Sequence, residues 1–191
     1  MADIRKYFIL KNNNKEDKVI DDVSTNVSTI VNVFTDGSSI NNGKKNMCHR
    51  GGIGVYIEDT KEEISEKVLG KITNNICELK ACILGIKTIV KRKSNHTINI
   101  YTDSEYVINS ITKWAFNWEK NGWKRYNKSQ KKLADIKNKE LIVELFNLYK
   151  ENKVKFIHVR AHQVKPNANS PQFRIWYGNY MADKLAVMAS S

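Results

Sequence analysis

The apolar residues of this chain change period along its length, and that change restricts its fold more than any other feature. Residues 31–39 (VNVFTDGSS) read at period two. Val31, Val33 and Thr35 alternate there with Asn32, Phe34 and Asp36, as in a strand. Gly37 and the two serines after it predict a turn. Asp36 is thereby expected at a strand end, near a sheet edge and facing a loop. Residues 52–58 (GIGVYIE) and 64–71 predict two more strands, joined by a turn over 59–63. From 74 to 91 the spacing becomes three and four, through Ile76, Leu79, Ile83, Ile86 and Val90. That stretch predicts an amphipathic helix, with Asn74 or Asn75 as its cap. Residues 97–102 (TINIYT) return to a strand that ends at Asp103, much as the first ends at Asp36. A helix over 105–112, a helix over 140–150, a strand over 154–159 and a closing helix over 178–188 complete the pattern. Residues 163–177, which hold both prolines, read as a long irregular loop. Strands first, then helix and strand in alternation, predict an α/β layer fold in one domain with no internal repeat. Residues 1–29, rich in Asn, Lys, Asp and Ser/Thr, predict a mobile polar leader ahead of a domain over 30–191.

Composition narrows the function. The chain has 191 residues, 41% of them hydrophobic, enough for one sizeable core. It has no apolar run long enough to span a bilayer, so no membrane is expected as a partner. Its first 13 residues lack the pattern of a secretory signal. Cys48, Cys77 and Cys82 form no CxxC pair. Cys77 and Cys82 fall within one helical pattern, which favours free thiols and an intracellular site, cytoplasm or nucleus. The formal net charge of +12 favours a polyanionic partner, nucleic acid above all. A basic surface kept for solubility carries the same charge, so charge alone leaves both readings open. Over 113–139 Lys and Arg far outnumber Glu119 and Asp135, and Trp114, Phe116, Trp118, Trp123 and Tyr126 are interleaved with them.

Four acids carry the candidate chemistry: Asp36 and Asp103 at strand ends, Glu78 on the first helix and Asp183 on the last. Each alone fits a solvated cap. Gathered together, they would set like charges a few ångströms apart, which is unfavourable without a cation. Oxygen-only donors suit Mg²⁺ or Mn²⁺. Two such ions ~4 Å apart form the clamp used for in-line phosphodiester hydrolysis.

The motifs TDGSS (35–39), TNNICELKA (73–81), YTDSEYV (101–107), HVRAHQ (158–163) and GNYMADKLA (178–186), in this order and spacing, resemble ribonuclease H of the type 1 class. Residues 111–124 (ITKWAFNWEKNGWK) resemble that family's basic handle, here about 113–139. The resemblance runs from about residue 31 to the C-terminus. It implies a ribonuclease H-like fold, a five-stranded mixed sheet flanked by helices. It also implies a monomeric endonuclease that cuts the RNA strand of an RNA/DNA hybrid. Two Mg²⁺ ions, or Mn²⁺ as substitute, would serve it, and 3′-hydroxyl and 5′-phosphate ends would result.

Residue by residue, Asp36, Glu78, Asp103 and Asp183 match the family's metal-binding carboxylates. His162 matches its mobile histidine, which assists proton transfer or product release; a loop histidine without a role is the plainer reading. His158 reads as structural, and His49 and His96 as loop residues with no assignment. Only the 2′-hydroxyl distinguishes RNA from DNA along a helix. Asn42, Asn74 and Asn75 match positions that read it, a role compatible with capping. Lys71, Thr73 and Asn138 match a pocket for a DNA phosphate. Tyr106, Trp114 and Trp118 match an aromatic channel for deoxyriboses, although both tryptophans equally fit packing within the handle, as Trp123 does. The handle lysines should supply salt-dependent affinity without sequence preference.

The chain also departs from the family pattern. His162 and Asn179 are 17 residues apart, where the family has only a few. The inserted stretch, with Pro166, Pro171 and Arg174-Ile175-Trp176-Tyr177, is placed to reposition His162 or to touch substrate. Tyr180 stands where the family has an acid beside Asn179, which implies somewhat weaker metal binding but retained activity. A non-catalytic hybrid-binding module on the same fold has no use for four clustered acids. An integrase-like transferase needs neither the asparagines nor the handle. The glycine-rich start of type 2 ribonucleases H is absent, since Ser38 and Ser39 follow Gly37.

Overall fold

A computed structural model describes residues 28–40, 50–92, 95–127, 129 and 131–191. The expectations for most of the leader, and for Asn42, Cys48 and His49, lie outside the described residues. The chain forms β1 (Thr29–Ile40), β2 (Arg50–Ile57), β3 (Glu62–Val68), α1 (Asn74–Val90) and β4 (His96–Thr102). It continues as α2 (Glu105–Asn109), a π-helical turn (Ser110–Trp114) and α3 (Ala115–Lys120). The hairpin strands β5 (Lys124–Asn127) and β6 (Lys132–Asp135) follow, then α4 (Lys139–Glu151), β7 (Lys153–His158) and α5 (Gln172–Ser190). The main sheet has five strands in the order β3-β2-β1-β4-β7. β1, β2 and β3 pair antiparallel, whereas β1, β4 and β7 pair parallel. This is the mixed sheet the motifs imply.

Helices cover both faces of the sheet, so its central strands are buried on both sides. On one face Val31, Val33, Ile98 and Ile100 pack with Leu79, Cys82, Ile86 and Ile89 of α1 and with Ile142, Leu145 and Phe146 of α4. On the other, Phe34, Tyr56 and Tyr101 pack with Met181, Ala182 and Leu185 of α5. Phe34 is thus as buried as Val33, although the two point to opposite faces. Each such side chain contributes roughly 1.5–3 kcal/mol by leaving water.

Three local expectations need correction. First, β1 does not end at Gly37. It runs on to Ile40, pairing Gly37 with Ile53 and Ser39 with Gly51. β1 is also the middle strand, not one near an edge. Second, α1 is capped by Thr73, whose hydroxyl accepts the Ile76 N–H at 3.3 Å, and not by Asn74 or Asn75. Third, the closing helix begins at Gln172, so the irregular stretch between β7 and α5 is only 159–171. Pro171 stands just ahead of α5, where a missing N–H leaves no helical hydrogen bond unmade. The helix expected over 105–112 continues through the π-helical turn to Lys120, an insertion of the kind that widens one turn of a helix. His158 closes β7 and is exposed, and His96 opens β4.

Candidate active site

Strand register brings the first two acids together. The parallel pairing of β1 and β4 ends at Phe34 and Tyr101. Asp36, still within β1, and Asp103, just past the end of β4, each lie two residues farther along, side by side where the parallel pairing gives out on its carboxyl side, the place where ligands bind in open α/β sheets. Two glycines bring the helices in. A Cβ on Gly37 would collide with the backbone of Cys77 and Glu78, so its absence seats the first turn of α1 against β1. Gly54, paired with Asp36 across β1 and β2, does the same for α5: a Cβ there would collide with the Ala182 carbonyl. Glu78 and Asp183 are delivered by these two approaches, one from each face.

Ligand atoms of Asp36, Glu78 and Asp103 lie within 4.8 Å of one another. Asp183 borders the same cleft, with His162, Asn74, Ser104 and Tyr106. The four expected acids therefore converge, with Asp183 at the rim of the trio. Burial is the main cause that pushes Asp36 up to about 7, and the charges of Asp103 and Asp183 add to it, while a hydrogen bond from Gly37 opposes them. Burial, then Asp36 and Asp103, holds the Glu78 carboxyl well above the usual carboxylate range. Asp103 is raised by burial as well, against the pull of its own backbone hydrogen bond and of the nearby His162 charge.

No lysine or arginine among the described residues lines the cleft around this trio. Glu78 is 4% exposed, and its Oε2 is buried with no hydrogen-bond partner among the described residues. Its Oε1 accepts a long bond, 3.5 Å, from Asn74. An unpaired carboxylate oxygen facing two more carboxylates fits a divalent cation, and the all-oxygen donor set fits Mg²⁺ or Mn²⁺. Thiol chemistry is disfavoured, because burial pushes Cys77 up to about 11 and Cys82 up to about 12.

The RNase H family model matches residues 28–191. The chain belongs to the RNase H family. Ribonuclease H of Clostridium botulinum is 41% identical over 131 residues, which span 68% of this chain and 82% of that protein. Ribonuclease H of Desulforamulus reducens is 36% identical over 170 residues, or 87% of this chain and 91% of the relative. Among solved structures, LC9-RNase H1, described as a type 1 RNase H with the type 2 active-site motif, matches with a TM-score of 0.62 and 27% identity over 85% of this chain and 72% of that one. These matches agree with the type 1 resemblance of the motifs.

The remaining expected residues of this RNase H fall into two surfaces. Lys71, Thr73 and Asn138 line one depression with Asn74 and Asn75. Lys137, one of the handle lysines, lines it too. Asn138 has a left-handed backbone (φ 57°), and its amide donates to the Tyr106 hydroxyl at 3.2 Å, linking this depression to the acid cleft. Trp114 and Trp118 lie ring to ring, 5.6 Å apart. Trp118 packs partly against the core, while Trp114 stays 41% exposed and borders an open surface with Arg125. Trp123 sits against Phe146 of α4, as handle packing requires. A third group includes Trp176 of the inserted stretch, which the sequence places to reposition His162 or to touch substrate, and Tyr180. Trp176 and Tyr180 line the side of the cleft formed by Asp103, His162 and Asp183.

Proposed function

We propose that this RNase H hydrolyses the RNA strand of RNA/DNA hybrids, with two divalent cations held by Asp36, Glu78, Asp103 and Asp183. The observation that carries the reading is the orphaned Glu78 oxygen inside a cluster of carboxylates where the parallel pairing of β1 and β4 gives out. When bound, such ions supply activation of a water and neutralise charge on the leaving oxygen. Water adds to phosphorus in line as the bond to the 3′ oxygen breaks. The 3′ oxygen takes a proton and the phosphate stays on the 5′ side of the next nucleotide.

The chain's own residues do the positioning. The pairing of β1 with its neighbours and the end of β4 fix Asp36 and Asp103, so their geometry is set before substrate arrives. His162, on the cleft wall beside Asp103 and Asp183, moves a proton at an imidazole nitrogen. Asn74 and Asn75, at the start of α1, present amides toward 2′-hydroxyls, with Asn42 assigned the same task. Lys71, Thr73, Asn138 and the neighbouring Lys137 hold a phosphate of the DNA strand, and Tyr106, Trp114 and Trp118 support its sugars.

Asp103→Asn tests the assignment. It removes a ligand charge without changing side-chain size. Cleavage of a hybrid in Mg²⁺ should fall more than about a hundredfold, in line with the loss of a preorganised charge at the reacting group, while hybrid binding persists. Full activity in this variant would overturn the metal assignment.

A further inference from the structure

The stretch 159–171 carries His162 away from β7, and its hold on the rest of the molecule is narrow. Gln163 donates from Nε2 to the Arg160 carbonyl at 3.0 Å, closing a short loop around His162. His162 itself has a left-handed backbone, φ 48°, a conformation a residue with a side chain keeps only where its surroundings impose it. The Gln163 carbonyl in turn accepts from Trp176 Nε1 at 3.0 Å. The Lys165 ammonium lies over the same indole, 5.7 Å from its centroid. Trp176 therefore holds two residues that closely follow His162, one through its edge and one through its face.

Trp176 is itself fixed. It lies on α5 one turn before Tyr180, and the two rings stack with centroids 5.3 Å apart and planes 11° apart. Asp183 is on the same helix face nearly one turn farther on, and Trp176, Tyr180, Asp183 and His162 line one cleft. A single helix thus carries the acid and the clamp on the loop that faces it. We propose that Trp176 is a positioning residue: it holds the 160–165 loop so that His162 faces Asp103 and Asp183. Its effect on turnover rests on the role given to His162 above.

Two ties make two variants possible. Trp176→Phe keeps a ring on the stack and under Lys165 but removes the N–H. Lys165→Ala removes the other tie from an exposed residue and leaves α5 untouched. In the full chain, trypsin cleavage after Arg160, followed by mass spectrometry, reports opening of the loop when opening is fast relative to cleavage. It should speed up about fivefold in Trp176→Phe, the equivalent of one ordinary hydrogen bond, and about twofold in Lys165→Ala, as for an exposed cation–π pair. With hybrid substrate, kcat of Trp176→Phe should fall by a smaller factor, set by the share of closed loop that is lost, while KM stays unchanged. In a His162→Ala background the same substitution should cause no further fall.

Unchanged cleavage after Arg160 in both variants would overturn the proposal. So would a kcat loss from Trp176→Phe that persists in full when His162 is already gone, because that is the mark of a purely structural effect. Wild-type turnover in His162→Ala alone would overturn the role of His162, and the proteolysis rates would still decide whether Trp176 holds the loop.

Discussion

Asp36 shows how much a single residue is asked to bear. Its folded value of about 7 stands against an ordinary 3.8, so between those two pH values the folded, metal-free chain binds a proton that the unfolded chain does not. Stability of the metal-free protein is therefore highest, as far as this group goes, below about pH 4. It falls as pH rises through the folded value and is flat above it, for a total on the order of 4 kcal/mol. Melting of the chelated protein should show Tm falling from pH 5 to pH 8, and Asp36→Asn should flatten that fall. An equal pH dependence in the variant would contradict the electrostatic account. Divalent ions should raise Tm most at the alkaline end, where the carboxylates are charged. Gly37 and Gly54 belong to the same scale. Gly54→Ala should cost about 1–3 kcal/mol by overpacking and should lower activity as well, because α5 must shift to clear the Ala182 carbonyl and it carries Asp183. The acids themselves are readable, since Thr35-Asp36 and Thr102-Asp103 end similar apolar runs. The task of Gly37 is not. In one dimension a glycine after Asp signals a turn; the backbone of α1 that needs its empty Cβ position lies far along the chain.

Elements are legible where their signal is local. The three-and-four spacing of α1 predicts its span almost to the residue, and β4 and β7 stand out by their apolar runs. The start of α5 is hidden because Pro171 reads as a breaker, whereas proline just ahead of a helix costs it nothing. The cap of α1 is ambiguous among three adjacent polar residues, any of which has the required oxygen. Thr73→Ala should cost about 1 kcal/mol of stability through removal of the cap, measured by denaturant unfolding, while Asn74→Ala should weaken hybrid cleavage more than it weakens the fold. The handle is an element of its own. Its β5–β6 hairpin is exposed at Lys124, Arg125 and Tyr126, and its base is fixed where Phe116 and Trp123 meet Phe146 edge-on. Neutralising Lys124, Arg125, Lys131 and Lys132 should reduce the salt dependence of hybrid binding, by up to about 0.9 in log–log slope for each phosphate that the chain no longer neutralises. Melting should change little.

At the scale of the whole molecule, the excess of positive charge and the buried negative cluster are two halves of one arrangement. A chain of net charge +12 attracts a polyanion over its surface, yet it gathers acids beside its central strands. Strand order, which decides that β1 is central and that β4 lies beside it, is written in no single stretch of sequence, because the parallel neighbours β1, β4 and β7 are far apart along the chain. The order and spacing of five motifs stand in for that long-range information. The central claim is that the acid cluster works as a cation site acting on the RNA of a heteroduplex. Its most direct test is cleavage of three uniform substrates, RNA/DNA hybrid, RNA duplex and DNA duplex, each in Mg²⁺, Mn²⁺ or excess chelator. The structure predicts cutting of the RNA strand of the hybrid alone, with either metal and never with chelator. An intact hybrid in both metals, or cleavage that survives chelation, would contradict it.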